Sequence, residues 1–226
     1  MINYFAILSF RLEMILKLST ARITGLLYIG LAITGMLAFL YVSQGIYVES
    51  GAAATSANLV ESEGLARFGI AAEIALVGFQ ALTAVWFFKL FRKKDSFAAG
   101  LVAIFGMVNA VGILMASAMW YGALNAALAN QVEQAQLLYD LHENIWLVLA
   151  LFFGLWLIPM AYLAKISKFP AGIALFLLLG GIGYILSAFI AVLIPDSSLV
   201  DVIAMPATIG EFWMIGYLLI KNPVIK

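Results

Sequence analysis

Residues 86–101 read Trp86-Phe87-Phe88-Lys89-Leu90-Phe91-Arg92-Lys93-Lys94-Asp95-Ser96-Phe97-Ala98-Ala99-Gly100-Leu101. A charged knot, Arg92 to Asp95, interrupts two apolar runs, 68–91 and 97–127. Each run reaches the roughly 20 residues that cross about 30 Å of hydrocarbon. A backbone in lipid must satisfy its own hydrogen bonds, so both runs are read as helices. The knot is then a tight turn on one side of a membrane, with Ser96 the expected N-cap of the second helix.

The same alternation recurs in both directions. Six segments qualify as spans: 23–47, 68–91, 97–127, 141–165, 170–194 and 202–221. They predict an all-α polytopic membrane protein, a bundle of six transmembrane helices within residues 21–226, preceded by a segment at 1–20. All Lys and Arg except Arg67 fall at one set of span ends: Arg11, Lys17, Arg22, the 89–94 group, Lys165, Lys168, Lys221 and Lys226. The opposite ends carry Glu49, Glu61, Glu63, Glu133, Asp140, Asp196 and Asp201. Loops rich in Lys and Arg stay cytoplasmic, which places both termini in the cytoplasm.

Composition agrees. The chain is 65% hydrophobic and 11% charged, with mean hydropathy +1.08, against about 25% charged for a soluble domain. Lipid is the solvent this surface needs. The formal charge of zero points to no nucleic acid, and the lack of Cys removes disulfides, thiolate chemistry and Cys-linked anchors. The N-terminus does not read as a cleavable signal, because Arg11 follows the apolar stretch Ile2–Phe10 instead of preceding it. Residues 2–18 mix apolar and charged positions, as a helix lying in the cytoplasmic interface does.

Prolines and small residues punctuate the spans. Pro170 opens span five, Pro195 closes it, and Pro159 and Pro206, in span four and near the start of span six, each remove a backbone donor and are expected to kink their helices. Residues 48–66 and 128–140 read as lids or solvated caps outside the membrane. Gly112 with Ala116, the series Ala118, Gly122 and Ala126, and Gly180, Gly181 and Gly183 permit close helix approach. That suits packing within the chain first and a homo-oligomer interface second.

Polar residues are expensive inside spans, so they mark the candidate site. Glu73, His142, Glu143 and Glu211 all belong to the outer half or the middle of the bundle. Glu211 is the deepest, roughly 15 Å along its helix from Asp201. His142 and Glu143 fall in the expected first turn of span four. Gln80 shares a helical face with Glu73; Tyr121 and Asn125 share one in span three, with Asn109 deeper. Together Glu73, Gln80, Asn109, Tyr121, Asn125, His142, Glu143 and Glu211 are the expected lining of a ligand pocket open to the outside. Structural roles compete with this reading. Glu73 also suits a pair with Arg67 or another donor, Glu211 a protonated carboxyl bonded to Asn109 or to a backbone carbonyl, and His142 with Glu143 a wet helix cap. Trp120, Tyr121, Tyr139 and Trp146 read as an interfacial aromatic belt.

The segment around span four carries a recognisable pattern. Phe152-Phe153-Gly154-Leu155 is followed by Tyr162-Leu163, Lys165-x-Ser167-x-Phe169-Pro170, Gly172 and Gly183-Tyr184. It resembles the bacterial membrane family catalogued as domain of unknown function 4386. Ala21-Arg22-Ile23-Thr24-Gly25-Leu26-Leu27-Tyr28, Leu141-His142 and Ile209-Gly210-Glu211 extend the resemblance over roughly residues 21–222. Where members commonly have a histidine after the Phe-Phe-Gly-Leu run, this chain has Trp156. The resemblance implies a multi-pass protein of the bacterial inner membrane and no particular activity.

Two functions are expected from different classes. The first is a non-enzymatic small-molecule binder or transporter-like unit, with membrane lipid and a small-molecule ligand as partners and no cofactor. The alternative is an intramembrane metal-dependent hydrolase using His142, Glu73 and Glu211, ligand types that suit zinc or non-haem iron. No HExxH-type spacing supports it, and catalytic residues are not assigned.

Overall fold

The computed structural model describes residues 18–42, 45–48, 51–194 and 197–225, without the side chains of 39–41 and 201. The elements are α1 (Thr20–Met36), continued by a π-helical stretch (Leu37–Val42), α2 (Ala52–Glu61), α3 (Glu63–Phe91), α4 (Ser96–Leu128), α5 (Val132–Ile166), α6 (Ala171–Leu193), α7 (Leu199–Ile203) and α8 (Met205–Lys221). Helices α3, α4, α5 and α6 are long and apolar enough to cross a membrane, and α1 is a shorter apolar helix. The chain is a helical membrane protein. Large apolar side chains such as Phe97, Ile104, Val111 and Leu193 lie exposed on the helix surfaces, where a soluble protein would carry charge.

The basic knot folds as its chemistry dictates, with one substitution of role. Asp95, not Ser96, caps α4: its side chain accepts from the Ala98 amide at 3.0 Å. A carboxylate serves an N-terminal cap better than a neutral hydroxyl because it also meets the positive end of the helix dipole. Pro170 stands at the N-cap of α6, and Pro206 lies in the first turn of α8, where a missing N–H costs nothing. Pro159 is inside α5, which runs through it.

The helices close a ring. Helix α1 packs on α3, then α3 on α4, α4 on α5, α5 on α6, α6 on α8, and α8 returns to α1. At the basic end the Ser19 hydroxyl hydrogen-bonds the Asn222 side chain, fastening the start of α1 to the end of α8. A Cβ at Gly183 would strike the Ile203 carbonyl, and one at Gly180 the Ala207 backbone. These glycines bring α6 against α8 within the chain. Phe87, Phe91, Trp156 and Met160 fill the core toward the basic end; Ile46, Leu59, Trp120 and Tyr139 fill it toward the acidic end.

Three expectations need correction. The cap expected at 48–66 contains α2, seated by the fully buried Leu59. The connection expected at 128–140 is only Ala129–Gln131, because α5 begins at Val132. Glu133, Gln134 and Gln136 are polar but adequate helix formers, and Ala135 is a strong one, so the helix starts well before its apolar run. Trp120 and Tyr139 are buried core residues instead of belt residues. The expected interfacial helix falls almost wholly on residues 1–17, outside the described residues, as do Glu49 and Asp196.

Candidate functional site

Helices α3 and α5 run in the same direction, and Glu73 and His142 each lie about 15 Å into their helix. That register brings them face to face. His142 Nε2 is 2.8 Å from Glu73 Oε1, and Nδ1 is 3.1 Å from Glu143 Oε1. Trp146, one turn further along α5, donates its indole N–H to the same Glu73 oxygen at 3.0 Å. Glu73 and His142 are each 1% exposed, whereas the Glu143 side chain is 37% exposed. The imidazole sits against the Trp120 and Tyr139 rings, both centroids at 5.2 Å. Glu73 Oε2 is buried without a hydrogen-bond partner among the described residues.

Both ring nitrogens thus face carboxylate oxygens. Each contact is a hydrogen bond only if a proton lies between its two atoms, on the ring or on the carboxyl. Which atom of each contact holds the proton depends on the tautomer of the ring. It stands where α5 turns from polar to apolar: Glu143 and Asn144 precede the uncharged run 145–164.

A second centre lies deeper. The Tyr28 hydroxyl donates to Glu211 Oε1 at 2.6 Å, joining α1 to α8. This pair borders a cavity of about 420 Å³ at the axis of the ring, lined from α1, α3, α4, α5, α6 and α8. Among the described residues Glu211 is the one ionisable carboxyl in the lining, and Tyr28, Trp146, Phe153, Trp156, Tyr184 and Phe212 supply aromatic rings. Gln80 donates to the Gly106 carbonyl at 3.3 Å. Its Oε1 and the Trp156 indole N–H are buried without partners among the described residues. Met36 on α1 and Thr208 and Phe212 on α8 are the exposed lining residues, so the rim lies between α1 and α8.

The expected pocket is therefore distributed over two centres. Gln80 and Glu211 line the cavity; Glu73, His142 and Glu143 form the neighbouring cluster, and Trp146 belongs to both. Asn109 is fully buried, with neither amide atom partnered among the described residues. Tyr121 is 49% exposed and lines a separate hollow with Arg67, and Asn125 is also exposed; both point away from the axis. Arg67 pairs with Glu63 at 2.7 Å, not with Glu73, and Glu211 meets Tyr28, not Asn109. Among the described residues no group of three or more His, Cys, Asp or Glu is arranged to hold a metal. Glu211, with Tyr28, does not join the His142–Glu73 pair.

Sequence reasoning missed Tyr28, Trp146 and Trp156 as site residues. A tyrosine in mid-span was the available signal, since a buried phenol requires a partner for its O–H.

The family model described as Domain of unknown function (DUF4386) matches residues 23–222. The match spans most of the chain, and the chain belongs to this family. No curated protein and no solved structure matches it.

Proposed function

Starting from membership of a family whose description assigns no activity, we propose that the chain is a non-enzymatic, transporter-like binder of lipophilic cations. The supporting observation is the cavity: a single carboxyl, Glu211, among six aromatic residues at the axis of the ring. Carboxylate and ring faces both attract positive charge, and an apolar wall rewards an apolar body. Gln80 Oε1 adds a free acceptor. A hydrophilic anion would find no cationic side chain in the lining.

In this proposal all six long helical segments cross the membrane of a bacterial cell, α1 with its π-helical extension and α8 included. The basic ends face the cytoplasm and the acidic ends the exterior. The rim between α1 and α8 then opens in the extracytoplasmic half of the bundle. Its Met36 and Phe212 side chains admit a ligand partitioned into the outer leaflet.

Equilibrium binding of tetraphenylphosphonium to the purified chain in nanodiscs tests the reading. Glu211→Gln removes the carboxylate, and Ala150→Phe fills the cavity from α5. Each is expected to weaken binding about tenfold or more, equivalent to about 1.4 kcal/mol. Binding that survives both substitutions unchanged overturns the proposal.

A further inference from the structure

We propose that Glu143, His142 and Glu73 form a proton relay that loads and unloads the buried Glu73 carboxyl from the membrane boundary. The cavity reading leaves these groups unused, and the relay stands independently of it. Three geometric facts carry the inference. The outer member, Glu143, is partly exposed, while the other two are sealed in protein. His142 joins them through opposite ring nitrogens, at 3.1 Å and 2.8 Å. The inner member faces Nε2 with Oε1, the atom that receives the proton, while its Oε2 is buried without a partner among the described residues, so no hydrogen bond at that oxygen holds the carboxyl in its charged form.

A proton on Glu143 passes to Nδ1 as the proton on Nε2 passes to Glu73. The ring keeps its proton count, and one proton moves from the boundary to the interior. Reversal of the two transfers unloads Glu73, and no other reactant is needed. Trp146 holds the geometry: its indole N–H binds Glu73 Oε1 and lies 3.2 Å from His142 Nε2, restraining the carboxyl against the ring. The titratable groups facing His142 are Glu73 from α3 and Glu143 and Tyr139 from α5; α4 presents the Trp120 ring. A cluster built only for stability would gain nothing from an unbonded inner oxygen. Burying that oxygen unpaired costs free energy, and costs least when the carboxyl is neutral, which leaves Glu73 able to take up a proton. Leu76, one turn beyond Glu73 on α3, lines the central cavity, so a charge change at Glu73 is placed to be felt there.

The chain has a single histidine, so a ¹⁵N-histidine label reports on His142 alone. The full chain in nanodiscs would be followed after a pH jump by infrared difference spectroscopy, with the Glu73 carboxyl band identified by its loss in Glu73→Gln. In the unsubstituted protein the band should respond together with the ¹⁵N ring signals. Glu143→Gln retains a hydrogen-bonding group beside Nδ1 but cannot carry the proton. It should slow the response about tenfold or more, the low end of what a positioned proton-transfer group contributes. His142→Gln should do the same. If that variant does not fold, the outcome at Glu143, whose side chain is peripheral, decides alone. Equal rates in Glu143→Gln and the unsubstituted chain, or a Glu73 band that never responds to pH, would overturn the relay. Neither result bears on tetraphenylphosphonium binding, so the two proposals fail separately.

Discussion

His142→Ala removes the hydrogen-bonding partner of a carboxyl that is 1% exposed. Glu73 Oε1 then keeps only the Trp146 indole, and Oε2 already has none among the described residues. Breaking a buried pair from one side costs about 3–5 kcal/mol, because the group left behind remains desolvated. The lost imidazole also leaves a void between the Trp120 and Tyr139 rings, worth roughly another 1 kcal/mol. An unfolded state held in mixed micelles leaves Glu73 partly out of water as well, which shrinks the difference between the two states, so the net expectation is about 3 kcal/mol. Reversible unfolding in mixed micelles, followed by tryptophan fluorescence, measures it. Substitution of both residues, Glu73→Leu with His142→Leu, strands no polar group and is expected to cost less than His142→Ala alone. A His142→Ala cost under about 1 kcal/mol, the value of a solvent-exposed pair, would refute the claim that the cluster is buried and mutually dependent. So would a double variant less stable than the single one.

Gly183→Val drives a side chain into the Ile203 carbonyl and should abolish a stable fold, seen as loss of the monodisperse peak in size-exclusion chromatography. Gly78→Ala has no neighbour within 4 Å and should leave thermal stability unchanged or raise it by up to about 1 kcal/mol. Tyr28→Phe removes the hydroxyl that orients Glu211; unfolding free energy should fall by about 1 kcal/mol, and tetraphenylphosphonium affinity should fall with it. Because the chain has no Cys, Lys93→Cys and Gln131→Cys give single labelling sites at opposite ends of α4 and its flanking turns. An impermeant maleimide applied to intact cells should modify only the second, and modification of the first would contradict the proposed orientation.

The helical framework was largely legible because span boundaries are written in charge. The Arg92–Asp95 turn and the Lys165–Pro170 turn separate α3 from α4 and α5 from α6 close to where hydropathy changes. Hydropathy reports where lipid begins, however, and not where a helix begins. The early start of α5 at Val132 and the existence of α2 were not legible for that reason, since Glu and Gln sustain a helix without being apolar and a short Ala-rich stretch does so without the length of a span. The site was half legible. Depth alone singled out Glu73, His142 and Glu211, because polar groups there demand partners. Which partners they find depends on how the ring closes, with α8 returning to α1 and α3 facing α5, and no spacing within one helix encodes that. Tyr121 and Asn125 show the converse error, since a shared helical face does not say whether the face turns inward.

The central claim, a cation-selective apolar cavity governed by Glu211, is tested most directly by a pair of ions alike in shape and opposite in sign. Tetraphenylphosphonium and tetraphenylborate should be titrated against the chain in nanodiscs of uncharged lipid, with empty nanodiscs subtracted. The account predicts saturable binding of the phosphonium, weakened about tenfold or more in Glu211→Gln, and no saturable binding of the borate. Equal binding of both ions, or tighter binding of the borate, would contradict it.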